Sequence, residues 1–285
     1  MKHREIEQII KKRFDKINTA LDSVRLHLLE DDIRIFRVKV KKLEACLGLI
    51  NAEKNSLHAL KLPQKIAKIF KICGVVRCLQ MQHASVQKTL DSHHITSPDT
   101  YLKLVSDKIL THLELANKHL RGEKPFEKEE GKLFKLLPDH LSERAIEHFI
   151  RSEGDTLEKL FAPVFPADKS LHETRKLLKT LLYISPYIEM PISAILPYSL
   201  LSSRDKVDAF TVILGSFHDI NTAIETLHTD CLKIKIEESE KTALRNIESI
   251  WIKEREAIRK EIFNQLLNII SSKQTAEPLA DWPVM

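Results

Sequence analysis

The sequence predicts an all-α fold built from two related helical repeats, and three observations lead there. Glycine is scarce, 6 in 285 residues; sheet-rich chains use glycine in turns and bulges, so its scarcity favours helices joined by short connections. Apolar residues recur at three- and four-residue intervals over long stretches, the period of an amphipathic helix. A pattern of bases followed by a glycine occurs in the first half and returns in the second. With 43% hydrophobic and 30% charged residues, the chain can bury a core and lacks the composition of a disordered one.

Taken in order, residues 3–29 read as a helix with Ile6, Ile9, Ile10, Phe14, Ile17, Leu21 and Val24 on one side. Glu30, Asp31 and Asp32 suit the positive N-terminal end of a second helix, which runs to about Ile50 and stops in the polar stretch NAEKNS. Pro63 fits a first helical position and a third helix follows to about Asp91. SHHITSPDT is a loop, and Ser97-Pro98 starts a helix ended by Gly122. Helical patterns continue at 123–137 and 138–161, with Pro138 as a start or kink, until FAPVFPADKS breaks the chain. A helix then begins near Asp168 and ends before Pro186. YIEMPISAILP is irregular, Ser202 and Ser203 cap a helix reaching about Cys231, and 237–272 forms one or two long helices with Glu/Lys pairs at helical spacing. Trp282, in a loop-like tail, is expected to tuck onto a helix. The organisation expected is one domain over 1–285, with a first repeat at 1–161, a second at 168–272 and a tail at 273–285: two pseudosymmetric bundles of about four helices each.

The repeat is visible in RIFRVKVKKLEACLGLI (34–50) and HETRKLLKTLLYISPYI (172–188). Arg34, Arg37 and Lys41 hold the places of His172, Arg175 and Lys179. The helix after each carries a glycine and then a base three residues on, Gly74 with Arg77 and Gly215 with His218. Arginines and glycines give nearly the same offset, close to half the chain. At about 100° per residue, Arg34, Arg37 and Lys41 fall within about 60° of one another, opposite the spine Phe36, Val40, Leu43, Leu47 and Ile50. His172, Arg175, Lys176 and Lys179 likewise oppose Leu177, Leu178, Leu181 and Ile188.

A solvated face is the common fate of such a stripe. Ordinary exposed faces, however, mix both signs to avoid self-repulsion, and residues 34–42 hold five bases (Arg34, Arg37, Lys39, Lys41, Lys42) and no acid. The third helix adds Lys65, Lys68 and Arg77. Two such stripes at matching positions point to a polyanion site: arginine's planar fork matches phosphate oxygens and lysine adds a mobile charge. Aromatic residues make up only 6% and do not interleave with the bases, so base stacking is not indicated and a phosphate chain is preferred over nucleic acid.

LHETRKLLKTLLY, LGSFHDINTAIETL, FRVKVKKLEACL and GVVRCL together resemble the CHAD (conserved histidine α-helical domain) family, over roughly residues 30–230. The resemblance implies two four-helix repeats around a basic groove or pore that binds inorganic polyphosphate, often at polyphosphate granules. The residues implied are Arg34, Arg37, Lys39, Lys41, Lys42, Lys65, Lys68, Arg77, His172, Arg175, Lys176, Lys179 and His218. The chain departs from the pattern at Arg34, where the first repeat usually has histidine, at Glu44, where a further arginine is common, and at Cys78, which replaces an aspartate.

Other chemistries find less support. The 13 histidines show no ligand spacing for a metal, and no cofactor motif, nucleophile motif or P-loop accompanies His172 and His218. Asp205, Asp208 and Asp219 are as well explained by capping and ion pairing as by metal-assisted phosphoryl transfer. A non-enzyme without metal or cofactor is expected. The alternatives are a helical scaffold for an acidic protein partner and a nucleic-acid backbone binder. Cys46, Cys73, Cys78 and Cys231 have no metal-knuckle or CxxC spacing; with no apolar leader and no run of about 20 apolar residues, they suggest a cytoplasmic protein that does not enter the membrane.

Overall fold

The computed structural model describes residues 1–27, 29–53, 59–119, 126–162, 166–188, 190–196, 198–232 and 235–273. The stops expected at Gly122 and at Pro163, and the packing of Trp282, lie outside them. The described residues are 84% helical, with ten α-helices and no strand longer than an isolated bridge among them. They are α1 (His3–His27), α2 (Glu30–Ile50), α3 (Gln64–His93), α4 (Asp99–His119), α5 (Glu127–Phe134), α6 (Glu143–Phe161), α7 (Asp168–Ile188), α8 (Ile192–Ile195), α9 (Arg204–Cys231) and α10 (Glu238–Ser271). The all-α expectation holds. Among the described residues no helix is long and apolar enough to cross a membrane.

Two compact units share these helices. Unit 1 comprises 1–146 and 219–254, and unit 2 comprises 147–218 and 255–285; α6, α9 and α10 each contribute to both. In unit 1, α1 packs on α2, α2 on α3 and α3 on α4. The apolar spines read from the sequence are its core: Ile6, Ile10, Phe14, Ile17 and Leu21 of α1 and Phe36, Val40, Leu43, Leu47 and Ile50 of α2 are buried. A second cluster joins Leu79, Val86 and Leu90 to Tyr101, Val105, Leu227, Ile247 and Trp251. Burial of so many large side chains at roughly 1.5–3 kcal/mol each is what holds the helices together. In unit 2, Leu171, Leu177, Leu178, Leu181 and Ile184 form the buried side of α7.

Two helix boundaries differ from expectation for identifiable reasons. Pro138 lies in the connection between α5 and α6. The start of α6 is set by Ser142, whose Oγ accepts from the Ala145 N–H at 3.2 Å and donates to Glu53 at 2.6 Å. Helix α7 does not stop at Pro186 but contains it. Proline has no N–H for the carbonyl four residues back; that carbonyl, of Leu182, accepts from Arg204 Nη1 at 3.1 Å and Ser185 Oγ at 3.2 Å.

Candidate functional site

In unit 1 the site is built where α2 crosses α3. Arg37 leaves the basic side of α2 and lies across α3. Its Nη1 donates to the Phe70 carbonyl at 2.8 Å, and its guanidinium sits 4.3 Å from the Phe70 ring centroid. The residue one turn on from Phe70 is Gly74, and a Cβ there would stand 2.5 Å from Arg37 Nη1. Glycine at 74 is thus the notch that receives the arginine. Burial works against the charge of Arg37, and Cys73 and Cys78 would offset it only as thiolates. Cys73 is itself pushed by burial to about 11.

In unit 2 the same relationship recurs between α7 and α9. Arg175 crosses α9 at Gly215, where a Cβ would meet its Nε at 3.1 Å and its Nη2 at 3.4 Å. One turn before Arg175 stands His172, and its ring lies 4.2 Å from that of His218, tilted by 38°. His172 Nδ1 and Arg175 Nε are buried and have no hydrogen-bond partner among the described residues. Buried polar atoms are nearly always satisfied, so two on adjacent turns of one helix mark a place where a partner is wanted: an acceptor for Arg175 Nε, and an acceptor or a donor for His172 Nδ1 according to its tautomer. The pKa of His172 is lowered, first by burial, then by His218 and Lys176, with Glu173 opposing and Arg175 adding. Tyr183, one turn beyond Lys179, is raised mainly by burial; Arg175 opposes that shift and Asp208 adds to it.

The other predicted residues are placed differently. Arg34 is exposed and paired with Asp31 at 3.0 Å, Lys176 with Glu173 at 3.0 Å and Lys179 with Asp208 at 2.6 Å. Arg77 is paired with Glu30 and lies near Asp219. The stripes are therefore not free of acid: Asp31 and Glu173 enter from the preceding helical turn, and Glu30 and Asp208 from other helices. Such partly exposed pairs contribute about 0–1 kcal/mol each, little enough for a multivalent anion to displace. Lys39, Lys41 and Lys42 are half-buried along α2. Lys65 and Lys68 lie apart from Arg37, on another side of α3, where they line a cleft.

Helix α1 adds bases beside α2 that its apolar pattern does not reveal. The pKa of Lys16 is lowered, first by desolvation, then by Arg13 and Lys12, with Lys39 of α2 adding last. The signal was the run KKRFDK at 11–16, read only for its apolar side. Among the described residues, no three His, Cys, Asp or Glu side chains gather as a metal site.

The CHAD domain family model matches residues 8–228. Two solved structures share the fold. The CHAD domain from the plant Ricinus communis has a TM-score of 0.70 at 16% identity, covering 93% of this chain and 91% of that one. PptA from Streptomyces chartreusis has a TM-score of 0.69 at 14% identity, covering 93% of this chain and 99% of that one. No curated protein sequence matches the chain.

Proposed function

The chain belongs to the CHAD domain family, and on that premise we propose that it binds inorganic polyphosphate, without catalysing a reaction, through the bases around Arg37 and around Arg175. One observation carries the reading. In each unit an arginine is seated on a helical glycine that leaves no room for a Cβ at its ordinary distance, and in unit 2 the arginine and the adjacent histidine hold buried polar atoms without partners. A phosphate oxygen at these positions would satisfy Arg175 Nε and relieve the mutual repulsion of Arg175, Lys176 and Lys179. Arginine forks supply direction and the lysines supply charge.

Binding by such groups releases condensed counterions, so affinity falls steeply as salt rises. Base stacking is not favoured: among the described residues Phe70 is covered by Arg37, the His172 and His218 rings lie against each other, and Tyr183 beside Arg175 is half-buried. We extend the proposal to location, in the cytoplasm at polyphosphate granules.

The test is a salt-series titration with long-chain polyphosphate, a single-stranded oligonucleotide and an acidic peptide. Polyphosphate is expected to bind most tightly, and Arg175→Glu with Lys179→Glu to abolish that binding while the helical signal and melting temperature stay near the parent's. Equal affinity for the oligonucleotide would favour nucleic-acid backbone binding. Binding of the acidic peptide alone would favour a protein scaffold. Polyphosphate binding unchanged in the double variant would refute the site.

A further inference from the structure

The N-terminal part of α3 carries its lysines on the side turned from Gly74: at about 100° per residue, Lys65 lies about 180° and Lys68 about 120° around the helix from that glycine. There a cleft of about 550 Å3 opens within unit 1, between the start of α3, the end of α4 and α5. Among the described residues four lysines line it, Lys61, Lys65, Lys68 and Lys132, against the one carboxylate of Glu129. Among the described residues no hydrogen bond or ion pair engages the side chains of Lys61, Lys68 or Lys132. The rest of the wall is Pro63, Gln64, His119 and the aliphatic side chains of Ile69, Leu133 and Leu136. Ile69 and Leu133 are buried, whereas Leu136 keeps 50% of its surface open to solvent.

Charge and surface type together define the occupant. Like charges gathered from separate segments repel one another, and a bound anion relieves that repulsion. An inorganic phosphate chain would answer the lysines and leave Ile69, Leu133 and Leu136 unused. A purely apolar ligand would do the reverse. The volume falls in the range of roughly 300–1,000 Å3 usual for small-molecule sites, where apolar walls give affinity and a few polar groups give orientation. We infer that this cleft is a second anion site, separate from the arginines of the proposed polyphosphate site, for a small organic polyanion with an apolar body, of the nucleoside triphosphate class. Its ring system would cover Leu136, and its phosphates would reach Lys68 of α3 and Lys132 of α5.

Calorimetric titration of the full chain with ATP, inorganic tripolyphosphate and adenosine tests this. ATP is expected to saturate one site more tightly than tripolyphosphate, and adenosine to bind weakly. Lys68→Glu with Lys132→Glu is expected to weaken ATP about tenfold or more. Leu136→Ala is expected to weaken ATP about threefold to tenfold and leave tripolyphosphate unchanged. Both lysines are exposed, so the fold should survive; if melting shows otherwise, the milder Lys61→Gln with Lys132→Gln serves instead. The Arg175→Glu/Lys179→Glu variant should bind ATP as the parent does. ATP binding no tighter than that of tripolyphosphate, insensitive to the cleft variants, or lost with Arg175 and Lys179 would overturn the inference. If long-chain polyphosphate fails to bind while ATP behaves as described, the inference stands and only the preceding proposal falls.

Discussion

The guanidinium of Arg37 occupies the space that a side chain at Gly74 would take, with Nη1 2.5 Å from where a Cβ would be. In a helix interior, Gly→Ala normally stabilises by about 1 kcal/mol, because glycine loses more backbone freedom on folding. At Gly74 that gain is set against the bond from Arg37 to the Phe70 carbonyl, which the new methyl would displace at a cost of about 1–2 kcal/mol. Gly74→Ala is therefore expected to be neutral or mildly destabilising, whereas Gly154→Ala, with nothing within 4 Å of its Cβ, should stabilise by about 0.5–1 kcal/mol. Chemical denaturation of both variants decides it; equal stabilisation would mean that the notch has no energetic role.

If polyphosphate binds beside His172 as proposed, that binding is expected to be pH-dependent. Burial, His218, Lys176 and Arg175 lower its pKa in the free protein, against Glu173, so at neutral pH the ring is uncharged. A bound polyanion favours the protonated ring, and binding therefore takes up a proton. Affinity should rise as the pH falls from about 7.5 to about 6, and His172→Gln should flatten that dependence. Stability moves the opposite way. With the folded pKa below the unfolded one, the unfolded chain binds more protons as the pH drops through the ordinary histidine range, so the free protein loses stability there. Calorimetry in buffers of different ionisation enthalpy counts the protons, and zero uptake would remove His172 from the binding step.

Pro186 leaves the Leu182 carbonyl to Arg204 and Ser185. Pro186→Ala restores an N–H four residues on and should stabilise by about 1 kcal/mol, less than in mid-helix because α7 ends at Ile188. Arg204→Ala should destabilise by about 1 kcal/mol in the parent and by less in the Pro186→Ala background. A double-mutant cycle by thermal denaturation measures the difference; strict additivity would show that Arg204 does not serve that carbonyl.

Trp251 Nε1 donates to Thr89 Oγ1 at 2.8 Å, and the Thr89 hydroxyl donates to the Ser85 carbonyl at 2.9 Å. Thr89→Val keeps the volume but leaves a buried indole N–H unsatisfied, an expected loss of about 1–3 kcal/mol. Thr89→Ser should recover much of that loss. Urea midpoints for the two variants check the order, and a valine as stable as the parent would contradict it.

Much of the molecule was written in the chain itself. The spines Ile6–Ile10–Phe14 and Phe36–Val40–Leu43 were readable as helices because burial selects one face and the helical period repeats it. The arginine–glycine pairs were readable because they occur twice at nearly the same spacing, although sequence could not say that one residue seats the other. What tertiary structure alone decided is which charges meet. Glu30 reaches Arg77 across 47 residues and Asp208 reaches Lys179 across 29; those partners are set by which helices pack side by side. Packing likewise sent Lys65 and Lys68 to a cleft with Lys132, away from the arginines with which their charge alone had grouped them. A helix fixes where its side chains point around its own axis, but the neighbour they meet depends on contacts distant in sequence, and no local pattern encodes those.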